Sequence, residues 1–127
     1  MNSVTLIGNV GNDPEIKKAQ EWTIAKFRLA TSEKYKNKKG EVIQDTQWHQ
    51  IDVNGGTAKI IEKYVEKGDK ICVVGRITYR EHEGKYYTTI KANKIELLVV
   101  LKIKPSRKGI FHFKFRYLFK RVHTLTD

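Results

Sequence analysis

Apolar side chains alternate with polar ones through most of residues 1–98, and only between Thr57 and Lys67 do they recur at helical spacing. This constrains the fold more than any other feature of the chain. A two-residue repeat loads one face of a strand, whereas Ala58, Ile61, Tyr64 and Val65 line one side of a helix. The period changes directly after Gly55-Gly56, which breaks the chain. Lys63 and Lys67 fall in the expected last turns, and Gly68 is placed as the C-terminal cap. A series of strands with one short helix excludes the repeated strand–helix alternation of a parallel α/β sheet.

Five strands are predicted around that helix. Ser3–Val10 sets Val4, Leu6 and Gly8 against Thr5, Ile7 and Asn9 and reads as a mostly buried strand, with Gly8 marking a bulge or sharp bend. Gly11-Asn12-Asp13-Pro14 is a turn. Ile24–Ser32 places Ala25, Phe27 and Leu29 on the core face and Lys26 and Arg28 on the other. Lys34–Gly40 is a polar tip with four lysines, ending in a hairpin turn from Asn37 to Gly40. Thr46–Val53 returns with Trp48, Gln50 and Asp52 opposite His49, Ile51 and Val53. After the helix, Lys70–Arg80 is a fourth strand with a buried Ile71-Cys72-Val73-Val74 start, Gly84 turns the chain, and Tyr86–Ala92 with Ile95–Leu101 completes a fifth. In a five-stranded barrel of the oligonucleotide-binding type, the helix lies between the third and fourth strands. That order is met here, so the expected fold is all-β with one short helix: a five-stranded barrel with long β-hairpin extensions.

A length of 127 residues suits one such domain. No apolar run reaches the ~18 residues of a membrane helix. The opening Met1-Asn2-Ser3-Val4 has no basic leader, so a cytoplasmic protein is expected. The single cysteine, Cys72, excludes an internal disulfide and a cysteine-only zinc site, and is expected to be a buried small hydrophobe. The net charge is +11, but residues 1–98 carry 17 Lys and Arg against 13 acids, whereas residues 99–127 carry 8 against Asp127 alone. Four of the five Phe also lie in Phe111–Phe119, which marks a boundary near Leu98. An excess of positive charge favours a polyanionic partner.

Catalytic patterns are thin. Gly8, Gly11 and Gly55-Gly56 match no phosphate loop, and His49, His82, His112 and His123 have no ligand spacing with Cys72 or paired carboxylates. No enzyme, metal or cofactor is expected. The aromatics of the first part are more informative: Trp22, Phe27, Tyr35, Trp48, Tyr64, Tyr79, Tyr86 and Tyr87. Phe27 and Tyr64 belong to core faces. Tyr35 stands among Lys34, Lys36, Lys38 and Lys39, Trp48 shares a face with Gln50 and Asp52, Tyr79 precedes Arg80, and Tyr87 follows Lys85 and Tyr86. Aromatics on polar strand faces, interleaved with cations, suit single-strand binding, where rings stack on bases and Lys and Arg neutralise phosphates.

The segment Ser3-Val4-Thr5-Leu6-Ile7-Gly8-Asn9-Val10-Gly11-Asn12-Asp13-Pro14-Glu15 resembles the opening of bacterial single-stranded-DNA-binding proteins. So do Phe27-Arg28-Leu29-Ala30-Thr31-Ser32, Thr46-Gln47-Trp48-His49, Glu62-Lys63-Tyr64-Val65-Glu66-Lys67-Gly68, Val74-Gly75-Arg76-Ile77 and Tyr87-Thr88-Thr89, in the same order across residues 1–98. The resemblance implies a barrel, usually a homotetramer, that coats single-stranded DNA without sequence preference during replication, recombination and repair. It implies stacking roles for Tyr35 and Trp48, with Tyr79, His82 and Tyr87 on the later hairpin, and a subunit-interface role for His49. Phosphates would be tracked by Lys34, Lys36, Lys38, Lys39, Lys67, Arg76, Arg80 and Lys85.

The chain departs from that family in places. Val53 is followed by Asn54-Gly55-Gly56 rather than an aromatic, Gly and Lys, His82 replaces a fourth-strand aromatic, and Gln50 stands where Arg is frequent. Binding weaker per subunit is therefore expected, unless Tyr79 faces the same side as His82 and compensates. Residues 102–127 lack the family's flexible linker and acidic tip, which argues against tail-mediated recruitment of replication proteins. Ile110–Tyr117 alternates aromatic and basic residues instead. It reads as an added DNA-binding strand, a membrane-surface or oligomer contact, or sequence without selected function. Two other readings of the whole remain open: a dimeric primosome-type barrel, and an interaction module whose basic tail contacts membrane or RNA.

Overall fold

The structure, a computed structural model of the chain, describes residues 1–98. The predicted tail strand at Ile110–Tyr117 and the last residues of the predicted fifth strand lie outside the described residues. Six strands and one helix follow in the order β1 (Val4–Val10), β2 (Glu15–Ala19), β3 (Trp22–Lys36), β4 (Val42–Asn54), α1 (Gly55–Tyr64), β5 (Lys70–His82) and β6 (Lys85–Leu97). They hydrogen-bond in the order β1-β5-β6-β4-β3-β2, and an additional β1–β3 pairing closes β1, β3, β4, β6 and β5 into a five-stranded barrel. The helix falls between the third and fourth barrel strands, as expected.

The alternation read from the sequence decides which side chains fill the barrel. Ala25, Phe27 and Leu29 on β3, Ile51 and Val53 on β4, and Ile71 and Val73 on β5 are at most 1% exposed. From α1 and the turn after it, Ala58, Ile61 and Val65 join the same core. Lys18 of β2 reaches Glu62 of α1 at 3.2 Å, a surface ion pair worth at most about 1 kcal/mol.

Four local expectations need correction. The segment after Pro14 forms β2, which pairs with β3 from Glu15↔Lys26 to Ala19↔Trp22 and lies outside the closed barrel. The helix ends at Tyr64, so Lys67 and Gly68 lie beyond it. Val65 turns extended there (φ −102°, ψ 131°) with its side chain fully buried, and Glu66 follows it at 6% exposure. Gly8 marks no bulge, because the β1–β5 register runs unbroken through it; a Cβ there would run into the carbonyl of Ala30, so glycine permits the close approach of β1 to β3. Finally, the start of β5 is buried on one face only, and Cys72 and Val74 are half-exposed on the other.

The two hairpins are longer than predicted. The β3–β4 ladder runs without a break from Ile24↔Asn54 to Lys36↔Val42, so Lys34, Tyr35 and Lys36 belong to a strand and not to a loop. Its turn is built by Asn37, whose side-chain Oδ1 accepts the N–H groups of Lys39 and Glu41 at 2.9 Å each. β5 and β6 pair from Ile71↔Leu97 to His82↔Lys85, with one register shift at Val74/Gly75.

Candidate nucleic-acid interface

Residues directly opposite one another in a ladder share a face, so the registers sort every candidate side chain. On β3 and β4 the outer face carries Lys26 and Asp52, Arg28 and Gln50, Ala30 and Trp48, and then Lys34 and Lys36. β6 runs parallel to β4 through Ile51↔Ile90 and Asp52↔Lys91, which continues that face onto β6. There the β5–β6 ribbon presents Arg76 with Lys91, Thr78 with Thr89, Arg80 with Tyr87, and His82 with Lys85. Trp48 and Tyr87 each precede the Ile51↔Ile90 pair by three residues, so both belong to this outer surface.

Trp48 is the best-defined of these groups. Its ring is 55% exposed, and the Arg28 guanidinium lies over it, 5.3 Å from the centroid. Such a cation–π contact is worth about 0.5–1 kcal/mol at an exposed site. The edge of its six-membered ring lies so close to Gly11 that a Cβ there would overlap it. The Gly11 segment is itself fixed: Gly11 N–H donates to the Arg28 carbonyl at 2.8 Å, and Arg28 N–H donates to the Asn12 side-chain oxygen at 2.9 Å. Lys67 joins the same corner, its backbone N–H donating to the Asp13 carboxylate at 3.0 Å. Beside it, Asn12, Glu15, Lys26, Phe27, Arg28 and Gln50 line an open hollow of about 360 Å³. Asp52 is 9% exposed, and its Oδ1 has no hydrogen-bond partner among the described residues.

The structure divides the five predicted stacking residues. Trp48, His82 and Tyr87 lie on the outer surface, with Tyr87 49% exposed. Tyr35 pairs with Ile43 and Tyr79 with Thr88, which puts both on the faces that continue the barrel interior. They are 53% and 71% exposed because each hairpin runs beyond the core. Tyr79 therefore lies on the side of the ribbon away from His82, and the expected compensation fails: three residues along a strand reverse the face. His82 is near Glu83, at 3.8 Å. Lys38 and Lys39 are exposed in the β3–β4 turn.

His49 is on the interior side, half-buried, with its ring Nε2 2.7 Å from the Thr31 hydroxyl. Tyr64 is half-buried rather than part of the packed core. Cys72 pairs with Ile7 and with Glu96 across its two ladders. Partial burial pushes its thiol pKa up, and the Glu96 carboxylate adds to this, opposed by Lys94. Ile7 is 53% exposed beside it. Among the described residues no three His, Cys, Asp or Glu gather as a metal site, and no helix is long and apolar enough to cross a membrane.

Sequence reasoning left two participants unassigned. Arg28 over Trp48 follows from the pairing register, which alternation alone does not fix. Lys91 was hidden because its neighbour Asp52 comes from a parallel strand far away in sequence.

The model of the Single-strand binding protein family matches residues 1–98. A single-stranded DNA-binding protein of Rhizobium meliloti is 44% identical over 88 residues, 67% of this chain and 51% of that protein. One from Bacteroides thetaiotaomicron is 39% identical over 106 residues, covering 77% of this chain and 66% of its own length. The chain thus spans about half to two thirds of the length of these curated relatives. Among solved structures, Plasmodium falciparum SSB in complex with ssDNA superposes with a TM-score of 0.65 at 33% identity, over 77% of this chain and 93% of that one. A Thermus aquaticus single-stranded DNA binding protein gives 0.67 at 27% identity, over 77% and 50%.

Proposed function

The chain belongs to the single-strand binding protein family, and from that membership we propose that it binds single-stranded DNA without sequence preference, coating and protecting it during replication, recombination and repair. The observation that carries this reading is Trp48, held half-exposed against Arg28 and Gly11 on a surface that continues into Arg76, Arg80, Lys85 and Tyr87. Every base has a π-face, so a preorganised indole flanked by cations takes any base, and the cations take the phosphates. Trp48, Tyr87 and His82 are the stacking groups of the outer surface, and Tyr35 and Tyr79 reach the strand from the other side of the hairpin ends. Lys34, Lys36, Lys38, Lys39, Lys67, Arg76, Arg80 and Lys85 follow the backbone. No catalytic step is part of this reading.

Oligo-dT is expected to quench Trp48 emission with an affinity that falls as salt rises. The Trp48→Ala variant is expected to lose about 1–3 kcal/mol of binding. Unchanged affinity in that variant would remove Trp48 from the site.

The assembly belongs to the same proposal. Ile7 is exposed, and Cys72 and Val74 are half-exposed on the outer face of β1 and β5. β1 pairs with β3 only at Asn9 and Val10, which leaves one edge of Val4–Gly8 without a ladder. An apolar face beside a free edge fits a homo-oligomer, a tetramer in this reading, with His49 at a subunit contact. The protein would act with the DNA in the cytoplasm.

A further inference from the structure

Trp22 is 64% exposed and takes no part in the site described above. It opens β3 opposite Ala19, and it occupies an even position of that strand, as do Lys26, Arg28 and Ala30. The odd positions between them, Thr23, Ala25, Phe27 and Leu29, are all buried. Trp22 therefore lies on the same outer face as Trp48, which pairs with Ala30. Eight residues of strand separate Trp22 from Ala30, about 26 Å at ~3.3 Å per residue.

The surface between the two tryptophans is chemically continuous. Lys17, paired with Ile24, shares the face with Lys26 and Arg28. These three cations stand against two acids, Glu15 and Asp52, of which Asp52 is 9% exposed. The open hollow beside Arg28 lies on the same path.

We propose that Trp22 is a second tryptophan stacking site, and that single-stranded DNA continues from Trp48 across the outer face of β3 and β2 to reach it. This rests on the reading of the chain as a single-strand binder and extends the bound path beyond the barrel onto the β2–β3 hairpin. The occupant is single-stranded DNA because the surface repeats the same two elements, an exposed ring and flanking cations, in direct continuity with Trp48.

The full chain contains two tryptophans, so in the Trp48→Phe variant all tryptophan emission comes from Trp22. Binding is followed separately through the anisotropy of labelled oligo-dT longer than the ~16 nucleotides at the upper end of OB-fold site sizes. The expected result is quenching of Trp22 emission along the same curve as the anisotropy rise. Trp22→Ala in the otherwise unmodified chain is expected to weaken binding of that oligonucleotide about tenfold, with Trp22→Phe restoring most of it and the melting transition unchanged. A full anisotropy rise with Trp22 emission unaltered, together with unchanged affinity in Trp22→Ala, overturns the proposal. No anisotropy rise with the unmodified chain overturns the single-strand reading itself, and this inference with it.

Discussion

At the scale of single residues, the position of Trp48 is set by two neighbours. Arg28 holds the ring electrostatically, and Gly11 leaves room for it where any side chain would intrude. Gly11→Ala is therefore expected to push the indole away from Arg28. Because the ring is half-exposed, it can swing outward, so the melting temperature moves little while oligo-dT affinity falls, by no more than Trp48→Ala costs. A titration beside a thermal melt checks both; equal affinity would mean that ring placement does not matter for binding. Trp48 itself was readable from a polar strand face. Its two neighbours were not, because the first comes from the register of a ladder and the second from the path of a turn, and neither leaves a periodic trace in the sequence.

At the scale of elements, the β5–β6 ribbon has two unlike faces. One carries Arg76, Arg80, His82, Lys85 and Tyr87; the other carries Tyr79, Glu81, Tyr86 and Thr88. Only the first combines a ring with several cations. Tyr87→Ala is expected to cost about 1–3 kcal/mol of oligo-dT binding, and Tyr79→Ala distinctly less. Arg80→Ala should flatten the plot of log affinity against log salt by about 0.7, the contribution of one phosphate contact on a single strand. Equal losses at Tyr79 and Tyr87 would mean that the strand stacks on both faces to the same degree. The strands and the helix of the barrel were legible because alternation and a single change of period suffice to define them. The extent of the hairpins was not: Lys34–Lys36 and Val42–Asp45 are exposed on both faces, Ile43 alone being half-buried, once they leave the core, so burial no longer imprints a pattern. β2 was missed for the same reason, since of its five residues only Ile16 packs against the core.

At the scale of the molecule, the strands and helix of residues 1–98 close on one continuous buried core. A chain truncated after Leu98 is expected to fold, to quench on oligo-dT and to keep the oligomer mass expected for the same number of subunits. Sedimentation and titration of the two lengths side by side test this, and loss of either property on truncation would assign it to the basic tail. The barrel that remains is two antiparallel sheets, β1-β5-β6 and β4-β3-β2, joined at two narrow seams. One seam is Asn9↔Ala30 with Val10↔Leu29, and the other is Ile51↔Ile90 with Asp52↔Lys91. The second joins residues 39 apart in the chain, so it has to close a large loop for very few hydrogen bonds. The hairpins can zip from their own turns, but the parallel seam must wait for both. Barrel closure is thus expected to be the late, slow event of folding, in the millisecond-to-second range of non-local β topologies. During synthesis β3 and β4 leave the ribosome well before β6, so the nascent chain carries an open sheet edge until the last strand arrives to shut it.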